Sequence, residues 1–184
     1  MKKMLTNGGG KCQIMSRKDS KVEKKEHLKH VDAEGVLIHG GFVGHFRHSL
    51  DPKKRITIPS EWREHVGVPV SLYVLPGLHD EKCLLIYPAI EMAQRFEKFR
   101  KIGVADKKAR VFARTLAYRS DLVTWDSQGR IRVKDELLQY AGLTSQVELV
   151  GAWDRFELWN PEQWKAAADV DHATMEDAVK YVDF

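Results

Sequence analysis

Two short constellations carry most of the charged chemistry in this 184-residue chain. They are Asp51 with Arg55 and, 75 residues on, Asp126 with Arg130. A guanidinium can grip phosphate, or guanine O6 and N7, in a bidentate way. A carboxylate four residues earlier can bond the backbone of a tight turn. Lys53 and Lys54 stand beside the first pair and Arg132 beside the second, adding reach toward phosphate. The rival chemistry is hydrolytic or metal-based. His48, Ser49 and Asp51 have the residue types of a relay, but neighbours on a strand point to opposite faces. His45 and His48, three apart on a strand, are opposed in the same way. His27 and His30 suit one helix face but lie in a charged segment, a poor setting for zinc. Gly8-Gly9-Gly10-Lys11 lacks the spacing of a phosphate loop, and Cys12 stands where Ser or Thr belongs. The expectation is a binding protein with no catalytic residues, cofactor, metal or small-molecule substrate.

The elements that must position these residues are written twice. His48–Gly67 reappears as Val123–Gly142, with Arg55 on Arg130, Ile56 on Ile131, Ile58 on Val133, Glu61 on Glu136 and Gly67 on Gly142. An internal repeat sets the architecture before any single residue does. In the first copy Phe42, Gly44, Phe46, His48 and Leu50 share one face of a strand. Asp51-Pro52-Lys53-Lys54 makes a turn, with Pro presetting its backbone. In the strand Arg55–Ile58 the two isoleucines face inward and Arg55 outward. Pro59 ends the ladder, Ser60 is the expected cap, and a helix from Glu61 to Val66 stops at Gly67. The second copy has turn Asp126–Gly129, strand Arg130–Val133, cap Asp135 and a helix ending at Gly142. Asp51, Asp126 and Gly129 are the turn-shaping residues.

Strands follow in each copy, at Ser71–Leu75 and Cys83–Tyr87, then at Gln146–Val150 and Arg155–Trp159. The offset falls from 75 to 72 between them, so the three-residue difference belongs in a surface turn. Pro88 and Asn160-Pro161 are the expected helix starts. Ala89 to about Ala117 reads as two helices interrupted at Gly103–Asp106, with Asp106 capping the second.

The net charge of +4 hides an uneven distribution. Residues 1–40 carry nine Lys/Arg against five Asp/Glu, residues 95–119 nine against two, and residues 148–184 three against nine. What matters is which basic groups share a face. Residues 1–40 read as a basic, disordered tail and 169–184 as an acidic C-terminal tail with a frayed helix. No run of about 18 apolar residues is present, so no membrane span or membrane partner is expected. Two cysteines, Cys12 and Cys83, are too few for a disulfide framework.

From about Gly41 to Ala168 the chain resembles the MraZ family of transcriptional regulators, which are two fused AbrB-like modules. The residues that carry the likeness are His48–Arg55 with Ile58-Pro59-Ser60, Gly77-Leu78, and Leu84–Pro88. In the second half they are Asp126–Ile131, Tyr140–Leu143, and Gly151 with Arg155–Trp159. The chain departs from the pattern at Lys54, where family turns carry Gly, and at Lys134, where Pro would stand. The resemblance implies an α+β fold of tandem swapped-hairpin modules, with a small pseudo-twofold, β-barrel-like core flanked by helices. The modules would span 41–117 and 118–168. It implies a cytoplasmic, nucleoid-associated regulator that binds double-stranded promoter DNA through Arg55, Arg130, Lys53, Lys54 and Arg132. It further implies a ring-shaped homo-oligomer on tandem boxes, repressing its own cell-division and cell-wall operon. The alternative is an antitoxin-like or protein-interaction module.

Overall fold

The computed structural model describes residues 41–67, 69–101, 106–169 and 172–183. The expected N-terminal tail, with Cys12, His27 and His30, lies outside them. The strands are β1 (His45–Ser49), β2 (Arg55–Thr57), β3 (Leu72–Pro76), β4 (Cys83–Pro88), β5 (Asp121–Val123), β6 (Arg130–Arg132), β7 (Gln146–Gly151) and β8 (Phe156–Trp159). The helices are α1 (Ser60–Arg63), α2 (Ala89–Lys101), α3 (Lys107–Arg119), α4 (Asp135–Tyr140), α5 (Pro161–Ala168) and α6 (His172–Val182).

Strand pairing follows the repeat. Six strands form one antiparallel sheet in the order β1-β7-β8-β4-β3-β5, and β2 and β6 form a separate ribbon. The first strand of each copy pairs with a strand of the other: His48 lies opposite Val147, and 75 residues away Val123 lies opposite Leu72. Exchanging the two copies reverses the strand order and leaves it unchanged. The pseudo-dyad therefore passes through the Ile56–Ile131 pair of the ribbon and the Leu85–Glu157 pair of the sheet.

The sheet is covered on both faces, which is why Cys83–Pro88 is buried throughout and apolar without alternation. One face packs against the ribbon and short helices, with Ile56, Ile58, Ile131 and Val133 fully buried among Val74, Leu84, Ile86, Phe156 and Leu158. Trp62 anchors this layer, edge-on to Phe42 and Phe46, and its indole donates to the Val43 carbonyl at 2.9 Å. The other face carries Leu75, Cys83, Leu85, Tyr87 and Trp159 against Met92 of α2, Leu116 of α3 and Trp164 of α5. Burial pushes the Cys83 thiol up to about 12, so it is inert packing.

Four expectations need correction. No barrel-like closure forms, because β2 and β6 are three residues long and spend their ladder bonds on each other. β1 and β2 do not pair as a ladder; the turn bond from Asp51 N to the Arg55 carbonyl, 2.9 Å, and the His48 Nδ1 contact to the Thr57 carbonyl, 2.8 Å, connect them. Ser60 and Asp135 are not caps: Pro59 and Lys134 stay extended just before each helix, no side chain caps either end, and both residues fall inside the first turn. The first short helix also stops at Arg63, a turn carrying the chain on toward Gly67 at φ 75°. Pro88 closes β4 rather than starting α2. Asp106 does cap α3, accepting from Ala109 N at 3.0 Å, and Asn160 caps α5 in front of Pro161.

Candidate nucleic-acid interface

The two Asp–Arg turns are built alike and meet at the ribbon. Asp51 Oδ1 accepts the backbone N–H groups of Lys53 at 2.8 Å and Arg55 at 2.9 Å. Asp126 Oδ1 accepts those of Gln128 at 2.9 Å and Arg130 at 3.1 Å. The other carboxylate oxygen holds the following guanidinium side-on. Arg55 Nε donates to Asp51 Oδ2 at 2.7 Å, and Arg130 Nε and Nη2 donate to Asp126 Oδ2 at 2.9 and 2.7 Å. Antiparallel pairing of β2 with β6 then brings the two turns together. Arg55 Nη1 lies 3.4 Å from Asp126 Oδ2, and Arg130 Nη1 lies 3.9 Å from Asp51 Oδ2.

Two carboxylates and two guanidiniums thus alternate around the pseudo-dyad. The Arg130 guanidinium holds the Asp126 carboxyl well below its ordinary range, at about 2, and Arg55 lowers Asp51 in the same way. The cluster is neutral as a whole, so two arginines sit close without net repulsion. Each has one edge spent on its own Asp, and their side chains remain 26% and 25% exposed, so a ligand approaching from solvent can reach them.

Positive charge is uneven across the dyad. Arg132 lies opposite Arg55 in the ribbon. Pro52, Lys53, Lys54, Arg55 and Arg132 line one shallow depression of about 360 Å³, with no carboxylate among them. Lys53, Lys54 and Arg132 are exposed. Their counterparts 75 residues away are Gln128, Gly129 and Thr57, so one end of the ribbon carries four cations and the other has Arg130 with Arg63 lodged against Gly129. Lys54 and Gly129 occupy the same turn position at φ 60° and 74°, a left-handed backbone that Gly adopts freely and Lys does not. Arg63, which the sequence reading passed over, packs its guanidinium against Gly129 and leaves its Nε buried without a partner.

The side chains proposed for hydrolysis have other partners. Ser49 Oγ accepts from Gln146 Nε2 at 2.8 Å, His48 is held by Thr57, and Asp51 by Arg55. His45 contacts buried Glu148 at 2.6 Å. Among the described residues no three His, Cys, Asp or Glu side chains could hold a metal ion, and no helix is long and apolar enough to cross a membrane.

Comparison with known proteins gives a consistent picture. Residues 42–115 and 118–180 match the MraZ protein family, whose description adds the words antitoxin-like. A transcriptional regulator MraZ of Corynebacterium jeikeium is 38% identical over 123 residues, 67% of this chain and 83% of that protein. Those of Clostridium tetani and Natranaerobius thermophilus are 34% and 33% identical, over 71% and 78% of this chain and 89% and 98% of theirs.

Proposed function

Because the chain belongs to the MraZ family, we propose that it is a DNA-binding transcriptional regulator that grips duplex DNA with its two Asp–Arg turns. The observation that carries this reading is the paired cluster of Asp51, Arg55, Asp126 and Arg130 at the centre of the ribbon, with a basic depression beside it. The carboxylates fix the guanidiniums in place before DNA arrives, which lowers the ordering cost of binding. Lys53, Lys54 and Arg132 reach phosphate, while Arg55 and Arg130 contact phosphate or guanine edges. Asp51, Asp126 and Gly129 shape the turns.

The exchange of strands between the copies supports a tandem swapped-hairpin architecture, with modules at 41–117 and 118–168 and the acidic segment 169–184 beyond them. In this reading the chain works on the nucleoid, in the cytoplasm. It assembles with copies of itself into a ring, and several weak contacts along tandem promoter boxes add up through effective concentration. Its target is the promoter of its own cell-division and cell-wall operon, which it represses.

Titration of the chain with DNA from upstream of its own gene and with random DNA, at two salt concentrations, tests the proposal. The expected result is preference for the upstream DNA, with affinity falling by about 0.9 log unit per log unit of salt for each phosphate neutralised. Equal, salt-insensitive or absent binding would overturn it. The antitoxin-like wording favours a second reading, a module that sequesters a protein partner. That reading predicts a stoichiometric co-purifying protein and no preference for upstream DNA.

A further inference from the structure

The helix layer leaves an apolar groove, and the same chain carries a helix with an exposed apolar stripe. The groove holds about 400 Å³ between α2, α3 and the edge strand β5, and Tyr73, Leu75, Met92, Phe96, Leu116 and Leu122 line it. Phe96 and Leu122 remain 38% and 55% exposed there. The fold does not require this apolar character. At the equivalent place in the second copy, Arg47, Glu148 and Trp164 stand where Leu122, Tyr73 and Met92 stand in the first, and the floor is a buried carboxylate held by His45 and Arg47.

Helix α6 supplies a matching surface. Every residue from Ala173 to Asp183 is exposed, including Met175, Val179 and Val182. Their spacing of four and three residues puts them in one stripe. By the same periodicity Glu176 and Asp183 flank that stripe, and on α3 Arg110 and Arg114 flank the Ala113–Ala117 line that faces the groove. Helix α3 carries five basic residues and no acidic one. Charge therefore matches between the α3 face beside the groove and α6. Within one chain no described residue of α6 lines the groove.

We propose that α6 of one copy seats its Met175–Val179–Val182 stripe in the α2–α3–β5 groove of a second copy. This rests on the self-assembly reading above and names its contact. The two surfaces differ, so the contact is head-to-tail and repeats around a closed ring or along a filament.

Light scattering on the full chain tests it. Val179→Asp should lower the assembly's mass toward that of one chain, with little change in melting temperature, because Val179 is 42% exposed and lies outside both buried clusters. Arg110→Glu with Arg114→Glu should do the same, as should Glu176→Arg with Asp183→Arg. All four substitutions in one chain should restore the assembly. A wild-type assembly that survives Val179→Asp, or charge reversals that are harmless singly or not rescued together, would overturn the proposed contact. A monomeric wild type would overturn the self-assembly reading itself.

Discussion

Lys54 and Gly129 show how far two equivalent residues can differ in energy while making the same turn. Both sit at positive φ, and both donate a backbone N–H to the turn's Asp carbonyl, at 2.9 and 2.8 Å. A side chain in the left-handed region costs roughly 1–2 kcal/mol, partly offset in a swap by glycine's greater freedom when unfolded. Lys54→Gly should therefore raise stability by up to about 1 kcal/mol in urea melts. Gly129→Ala should lower it, since the new Cβ would lie 2.5 Å from Arg63 Nη1 as well as adopt φ 74°. The carboxylates make an acid-side prediction. Asp126 titrates near 2 when folded against an ordinary 3.8. Its contribution is complete above about pH 4 and is lost as pH falls through 2. Melting temperature should fall over that window in the wild type and less steeply in Asp126→Asn; identical profiles would contradict the assignment. The turn position of each Asp, four residues before an Arg, was legible in the sequence. The cross-contacts between turns were not, because they depend on β2 meeting β6.

At the scale of elements, the strands β2 and β6 were legible; their pairing into a ribbon and its electrical asymmetry were not. Ile56, Ile58, Ile131 and Val133 alternate with polar residues as buried strands do, and all four are fully buried. Arg132, however, gains its meaning only from the antiparallel register that places it opposite Arg55. This makes the first turn's end of the ribbon the stronger polyanion site. Arg132→Thr should reduce the salt slope of DNA binding by about one unit, and Thr57→Arg should add about one. Equal slopes for both variants and the wild type would show that this end of the ribbon does not meet phosphate. Helix starts were read a residue late at Ser60 and Asp135, because Pro59 and Lys134 complete the extended segment themselves. At Asp106 and Asn160 the side chain accepts backbone N–H groups of the first turn, and each helix starts where the sequence predicts.

For the whole molecule, the repeat set the strand inventory and the pseudo-dyad but did not dictate closure. Each copy's first strand lies in the other's half, so neither copy completes its sheet alone. The expected barrel gives way to an open six-stranded sheet with the ribbon packed on one face. That arrangement puts both Asp–Arg turns at one place on the surface, which is the basis for assigning them to DNA. Fluorescence anisotropy of upstream DNA with the Arg55→Gln, Arg130→Gln double variant tests this most directly. Both side chains lie outside the packed core, so folding and assembly mass should persist. Each lost bidentate contact is worth roughly 1–3 kcal/mol, so affinity for the upstream DNA should fall at least about 30-fold. Undiminished binding by a folded double variant of unchanged mass would contradict the account.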